Sequence, residues 1–548
     1  MWILVGAGKR KWTVFRHNGP YFPPEYEKHD IPVIVNGEKV ILPEQAEEYI
    51  TLYARYISTD YIENPKFNKN FWNDFKQYLP KELNINNLED MNLKLIKKYI
   101  DDISEKNRNR SKEEKEKNKK ELEKLEEPYK YCIIDGAKQK VGNYRIEPPG
   151  IFLGRGNHPK IGMIKKRIYP EDVTINLDKE ADVPKPNIDN HKWGEVIHNR
   201  EVIWLASWKD SVTGKSKYIF TSVESLFKSE SDKNKFDLAR KLKRRVKEIR
   251  KQYEEQLLSN DIKIKQMATA LYFIDTLALR VGGKKNTKEK ADTVGVTSLR
   301  VEHITLIPPN TIKLDFLGKD SIRFCKKVNV IRDVYTNIEL FIKQKDNKTL
   351  LFDKINSNML NEYLNSFMKN LTAKVWRTYN ASYLFQKELD KIRMDRVEKL
   401  PESERMNYII SLFQQANTAV ALLCNHQKAV TTNLDNALDK IDERIKKLRK
   451  QKRKYTERMK KSSKRDVKKR YREKIKKIEA KIKILKMKKE TKSKMKNVSL
   501  GTSKTNYIDP RIIFAFMKKF DVPEEKLFTK SLVDRFEWAS SVDKEFRF

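Results

Sequence analysis

Residues 439 to 496 limit the fold more than any other stretch: they hold 29 Lys/Arg against 8 Asp/Glu, with no Gly or Pro. Such a run offers nothing that breaks a helix. Apolar residues recur at Leu434, Leu438, Ile441, Ile445 and Leu448, and again at Val467, Tyr471, Ile475, Ile478, Ile482 and Leu485. Steps of three and four are the spacing of a coiled-coil seam. The seam lapses at Lys461-Ser462-Ser463-Lys464. The pattern therefore predicts an antiparallel helical hairpin turning there, because a solvated basic tail would not keep two seams. The block carries +21 of a formal net charge of +40, so the remaining +19 makes the rest of the chain basic as well.

An excess of that size needs a polyanion, either nucleic acid or an acidic membrane surface. No apolar run approaches the roughly 20 residues of a spanning helix, and the opening MWILVGAG has too short an apolar core for a signal peptide. Cys132, Cys325 and Cys424 lie far apart and form no metal-ligand pair, which suits a reducing compartment. The seven His residues show no zinc-type spacing, so neither a metal nor a cofactor is expected.

At 548 residues the chain has length for several domains. Residues 1–127 mix strand-like runs (IPVIVNG, EKVIL) with amphipathic helices (EQAEEYITLYARYI, FWNDFKQYL), and their charged stretch 104–127 reads as one exposed helix. Residues 128–226 turn to short strands punctuated by Pro and Gly, such as EVIWLASW and KYIF. Residues 227–430 are mostly helical apart from TIKLDFL and SIRFCKKV, which flank Gly318-Lys319-Asp320 as a β-hairpin. Residues 431–498 form the basic hairpin. Gly501 breaks the charged run, and 499–548 make a small helical domain, with Asp509-Pro510 as cap and first turn of a helix. The class expected is multidomain α/β.

Five residues stand out: Arg280, Lys319, Arg377, His426 and Tyr507. Each has an ordinary structural role open to it. Arg280 follows an apolar helix and could cap its carbonyls, Lys319 could be a polar turn residue, and Arg377 could pair with a buried carboxylate. His426 could simply end a helix, and Tyr507 could belong to the core.

Their neighbouring text alters that balance. GKD at a hairpin tip, RTYNAS, CNHQ and SKTNYIDPR, in that order, resemble the eukaryotic DNA topoisomerase I family, of type IB. So do LRVEHI (299–304) and YRIEPPGIFLGRGNHPKIGMIKKRI (144–168), and the resemblance runs from GPYFPPEY at 19 to Phe548. It implies a DNA clamp: N-terminal cap lobes, a mostly helical catalytic domain, a coiled-coil linker and a C-terminal domain. It also implies a monomer that acts on duplex DNA in the nucleus. By that resemblance Tyr507 attacks a phosphodiester, Arg280 and Arg377 clamp the phosphate, His426 donates to it and Lys319 protonates the leaving oxygen. Arg155, Asn157, His158, Lys160, Asp320 and Asn506 would be DNA contacts, and Arg155, Asp320 and Asn506 would border the place where camptothecin-type inhibitors stack.

The chemistry agrees. Attack on a phosphodiester gathers negative charge on non-bridging oxygens, which planar, permanently charged guanidinium forks neutralise. A 3′-phosphotyrosine keeps the ester's energy, so religation would need neither ATP nor metal. A tyrosine recombinase shares the Arg, Lys, Arg, Tyr set, but usually carries His-x-x-Arg where this chain has Lys374-Val-Trp-Arg377. It also has no long insertion such as the one separating His426 from Tyr507. A non-catalytic basic binding protein would explain the charge but not the motifs. Three departures from the family pattern appear. Leu153 replaces an Arg, removing one expected backbone contact near Arg155. Val281-Gly282-Gly283 is expected to loosen the loop after Arg280. MWILVGAG does not resemble the charged N-terminal tail that normally bears nuclear targeting signals.

Overall fold

The computed structural model describes residues 10–83, 85–283, 286, 291–426, 433–494 and 499–548. The stretch MWILVGAG and the Leu434 side chain fall outside that description. The chain forms two compact units, Met1–Glu230 with Lys285–Asp292, and Ser231–Lys284 with Thr293–Phe548. The fold is mixed α/β.

The first unit has two apolar cores, and the chain does not fill them in order. One gathers Val33, Tyr49, Phe67, Phe71, Phe75 and Ile96, then takes Ile151, Ile161 and Ile164 from much later. Helices Glu44–Ala54 and Pro65–Phe75 supply about half of it. Phe67, Phe71 and Phe75 are four residues apart and so share one helix face. The other core joins Trp12, Phe15 and Phe22 to Cys132, Ile175, Leu205 and Trp208. Strand Phe15–His17 pairs with Tyr131–Ile134, so the N-terminal segment completes a sheet whose other strands lie more than a hundred residues on. Leu153 packs against the first of these cores. An apolar side chain at that position has an interior use in this chain.

The charged stretch expected to be one helix is two, Lys94–Asn109 and Lys112–Glu126. Arg110 leaves helical geometry at ψ 139°, and Ser111 and Glu114 close a reciprocal capping box. The S-x-x-E signal was present in the text, and it outweighs continuous helix propensity.

The second unit is built on one large core. From the long helix Leu226–Gln256 it takes Phe236, Ala239, Leu242, Val246, Ile249 and Tyr253, a three–four spacing that lines one face. Around it pack Ile262–Leu277, Ala373–Leu389, Glu402–Leu423 and Pro510–Phe520. The expected β-hairpin is present: Thr311–Leu317 pairs antiparallel with Arg323–Asn329, from Leu317 opposite Arg323 to Thr311 opposite Asn329. A third strand, Ile304–Ile307, extends it to a small sheet.

Helices Asn433–Lys461 and Arg465–Lys494 meet at the expected turn. Lys452 bonds Glu479 and Lys489 bonds Asp442, which fixes the pair as antiparallel. Ile445 and Ile478 are buried in the seam. The second helix also docks on the body, with Ile484 entering the main core and Lys483 lying 5.1 Å over the Tyr408 ring. Among the described residues, no helix is long and apolar enough to cross a membrane.

Candidate active site

Local features of several elements bring distant residues to one cavity of about 330 Å3. Its lining includes Arg280, Lys319, Asp320, Arg377, His426, Thr502 and Asn506. Tyr507 reaches it through ring contacts with two of these.

Arg280 follows the helix Ile262–Leu277, which ends at Ala278 in a left-handed turn, φ 50°. Its backbone is then tied in place, because the Arg280 carbonyl accepts from Val296 N–H at 2.9 Å and Val281 O accepts from Thr297 N–H at 2.8 Å. The loop expected to be loosened after Val281-Gly282-Gly283 lies largely outside the described residues, but Gly282 itself is closely held. Gly282 has φ +77°, and a Cβ there would stand 2.6 Å from the Gly295 Cα. Both glycines serve close backbone approach directly behind Arg280.

Lys319 stands on the tip of the β-hairpin, in a five-residue connection from 318 to 322 that is longer than a minimal turn. Asp320 and Ser321 there have φ of 66° and 58°. Lys319 is exposed at that tip.

His426 is set by the end of the helix Glu402–Leu423. Cys424 caps it, Asn425 takes the left-handed conformation at φ 50°, and His426 N–H donates back to Ala421 O at 2.9 Å. This is a Schellman closure, and it turns the imidazole inward. The His426 Nδ1 lies 2.8 Å from Ser503 Oγ. The ring is 5% exposed, and its Nε2 has no partner among the described residues. Burial, reinforced by the nearby positive charge of Arg377 and Arg280, pushes its pKa down to about 3. The imidazole is therefore neutral at physiological pH.

Arg377 projects from the helix Ala373–Leu389 and is 3% exposed. Its Nη2 donates to Cys424 O at 3.2 Å. Nε and Nη1 are buried with no partner among the described residues. The guanidinium lies 4.9 Å from the centroid of the Tyr507 ring, and the His426 ring stacks on Tyr507 at 5.1 Å and 29°.

Tyr507 sits between two helices. Pro510–Phe520 begins as expected, with the Asp509 side chain accepting from Arg511 N–H. The helix Leu500–Asn506 was not expected, and Gly501, read as a break, lies inside it. Tyr507 N–H donates to Ser503 O at 3.0 Å. Ser382, on the Arg377 helix, donates to Tyr507 O and accepts from Asp509 N–H, both at 3.0 Å. One buried hydroxyl thus pins the backbone on both sides of Ile508.

Beneath the cavity Asp275 accepts from Arg250 twice (2.7 and 2.8 Å), from Tyr253 at 2.8 Å and from Trp376 at 3.1 Å. Asn380 donates to the carbonyls of Ile274 and Asp275. The network ties the helix leading to Arg280 to the helix bearing Arg377. Ser382, Ser503 and Asp275 were all missed in the sequence. The two serines lie inside quoted motifs, RTYNAS and SKTNYIDPR, but nothing there marked them.

The remaining expected DNA contacts belong to the first unit. Arg155 and Asn157 are exposed on the loop that follows Phe152. His158 packs edge-on against Phe152 at 4.8 Å and accepts from Lys160 N–H, with its pKa lowered by desolvation and by Lys215 and Lys160. Lys160 donates to Val212 O at 2.7 Å. In the second unit Asp320 and Asn506 are exposed at the rim of the cavity, and the Asn506 amide donates to Thr502 O at 3.3 Å.

Comparison with known proteins gives three matches along the chain. Residues 10–221 match the family described as "Eukaryotic DNA topoisomerase I, DNA binding fragment", residues 224–459 its "catalytic core", and residues 479–548 the "C-terminal topoisomerase domain". DNA topoisomerase 1 of Homo sapiens is 41% identical over 558 residues, covering 98% of this chain and 72% of that protein. DNA topoisomerase 1 of Caenorhabditis elegans is 42% identical, with 98% and 68% covered. DNA topoisomerase 1 beta of Arabidopsis thaliana is 41% identical, with 99% of this chain but 60% of the plant protein covered. Identity of this degree along nearly the whole chain, joined to a cavity assembled from the motif residues, means that the chain belongs to the eukaryotic DNA topoisomerase I family.

Proposed function

We propose that this chain is a type IB DNA topoisomerase, which relaxes supercoils of either sign by nicking one strand, letting it rotate and resealing it. The observation that carries the reading is Arg377: a buried permanent cation with two unpartnered donors, in contact with the ring of Tyr507. A charge held so needs an anion to complete it, and a DNA phosphate beside a tyrosine is the anion that gives the pairing a purpose.

In this reading the Tyr507 oxygen attacks phosphorus and its proton leaves to water. The bond from phosphorus to the 5′-oxygen breaks, and Lys319 protonates that oxygen as it departs. Arg280 and Arg377 neutralise the non-bridging oxygens. His426, neutral because burial and two arginines hold its pKa at about 3, is a hydrogen-bond donor and not an acid. Religation is the reverse attack by the 5′-hydroxyl, and it draws on the ester energy stored in the phosphotyrosine.

The finer assignments follow from this reading. Arg155, Asn157, His158 and Lys160 would contact DNA from the first unit, and Asp320 and Asn506 from the second. Residues 1–127 and 128–226 would be two lobes on the duplex, 227–430 the catalytic domain, 431–498 a coiled-coil linker and 499–548 the C-terminal domain. Duplex DNA would be held mainly by phosphates, with weak sequence preference and a steep dependence on salt. The protein would act as a nuclear monomer, and camptothecin-type inhibitors would lodge beside Asn506 and Asp320.

The test is relaxation of supercoiled plasmid in EDTA without ATP. The reading fails if the wild type does not relax it, or if Tyr507→Phe still does. An adduct trapped on a 5′-phosphate would assign the chain to another enzyme class.

A further inference from the structure

The proposed reaction uses His426 as a donor, and a neutral imidazole has only one N–H to give. Which nitrogen carries it is therefore decisive. A proton on Nδ1 would leave Nε2 as a lone pair facing the phosphate oxygens, which repels them. For His426 to donate to phosphate the proton must sit on Nε2, the ring nitrogen that has no partner among the described residues.

Resting on that reading, we infer that Ser503 is a positioning residue for catalysis: its hydroxyl donates to His426 Nδ1 and so holds the proton on Nε2 when phosphate is bound. Three observations meet here. The contact is 2.8 Å long. Ser503 is fully buried, so no water competes for the hydroxyl. Its Oγ has no other hydrogen-bond partner among the described residues, so the hydroxyl is available to turn toward the ring.

The residue type matters. A carboxylate or carbonyl at this place could only accept, and would draw the proton to Nδ1, the wrong nitrogen for a phosphate donor. A hydroxyl can donate or accept. Before phosphate binds, with two arginines nearby, a lone pair on Nε2 is tolerated and Ser503 can accept. Once phosphate oxygens arrive, the hydroxyl reverses and Nε2–H is favoured. Ser503 can follow this change by rotation of one bond.

The same residue holds the nucleophile, because its carbonyl accepts from the N–H groups of Tyr507 and Ile508, each at 3.0 Å. The short helix Leu500–Asn506 thus sets both the tyrosine backbone and the histidine tautomer. The C-terminal segment brings the nucleophile together with the group that tunes its partner.

The experiment uses the full chain with 15N-labelled histidine in a Tyr507→Phe background, bound to a duplex oligonucleotide, with the His426 signals assigned by His426→Asn. Ring 15N shifts should report Nε2–H with Ser503 or Ser503→Thr, and a shift toward Nδ1–H or a mixture with Ser503→Ala. With Tyr507 restored, single-turnover cleavage should fall about tenfold in Ser503→Ala. That is less than the roughly 10²–10³ of losing an oxyanion donor outright, and Ser503→Thr should recover most of it. Nδ1–H in the DNA-bound protein with Ser503 intact overturns the inference. So does a Ser503→Ala protein that keeps Nε2–H, whatever its rate. The tautomer is read without chemistry, so a wild type that fails to relax plasmid refutes the topoisomerase reading separately from these shifts.

Discussion

If Arg377 is held for an anion, replacing it should make the DNA-free protein more stable while destroying its activity. Arg377→Met keeps most of the side-chain volume and removes the charge. Burying a cation carries a penalty of several kcal/mol, taken here as about 5. Against that stand the hydrogen bond to Cys424 O at 3.2 Å, about 2 kcal/mol for a charged donor. The contact with the Tyr507 ring at 4.9 Å adds about 1 kcal/mol. The balance leaves the wild type short by about 2 kcal/mol, which corresponds to a thermal midpoint several degrees higher for the variant. The assay is the unfolding midpoint of each protein with and without duplex DNA, beside a plasmid-relaxation assay. The variant should melt higher alone, gain less from DNA and show no relaxation. A variant that melts several degrees below the wild type without DNA would refute the reasoning, because Arg377 would then be a satisfied structural residue.

Gly282→Ala should cost at least about 2 kcal/mol, because its Cβ meets the Gly295 backbone at 2.6 Å and the φ is left-handed; denaturant titration checks this, and strand cleavage should fall with it as Arg280 shifts. Asp275→Asn breaks a carboxylate that serves Arg250, Tyr253 and Trp376, and should lower stability by about 3 kcal/mol; a loss below about 1 kcal/mol would show that the network carries little. His426 has its folded pKa lowered from 6.5 to about 3, so only the unfolded chain takes up this proton between those values. Stability from this group is complete above pH 6.5 and declines as pH falls toward 3, by up to about 1.4 kcal/mol per pH unit. Melting curves at pH 7, 6 and 5 should therefore drop less steeply for His426→Gln than for the wild type.

The residues proposed for the chemistry could be singled out in the sequence because the proposed roles restrict their identity: a nucleophile, two forks, a donor and an acid leave few substitutes. The hairpin and its turn were legible for a related reason, since period and punctuation both lie along the chain. The groups that position the site pair across it instead. Trp376 meets Asp275 over 101 residues, Ser382 meets Tyr507 over 125, and His426 meets Ser503 over 77. Periodicity carries no register over such gaps, and a serine in a helix looks alike whether it faces solvent or pins a nucleophile. Gly282 shows the same limit with the sign reversed. Read along the chain, extra glycine means freedom; read across it, the missing Cβ lets residues 280–282 lie against 295–297, where two backbone hydrogen bonds tie the segment behind Arg280. Rigidity here comes from contacts between segments. Among the described residues Arg377 Nε and Nη1 and His426 Nε2 are buried with no partner, as are Asn417 Oδ1 and Trp538 Nε1, and in the proposed reading it is the DNA phosphate that completes the first three.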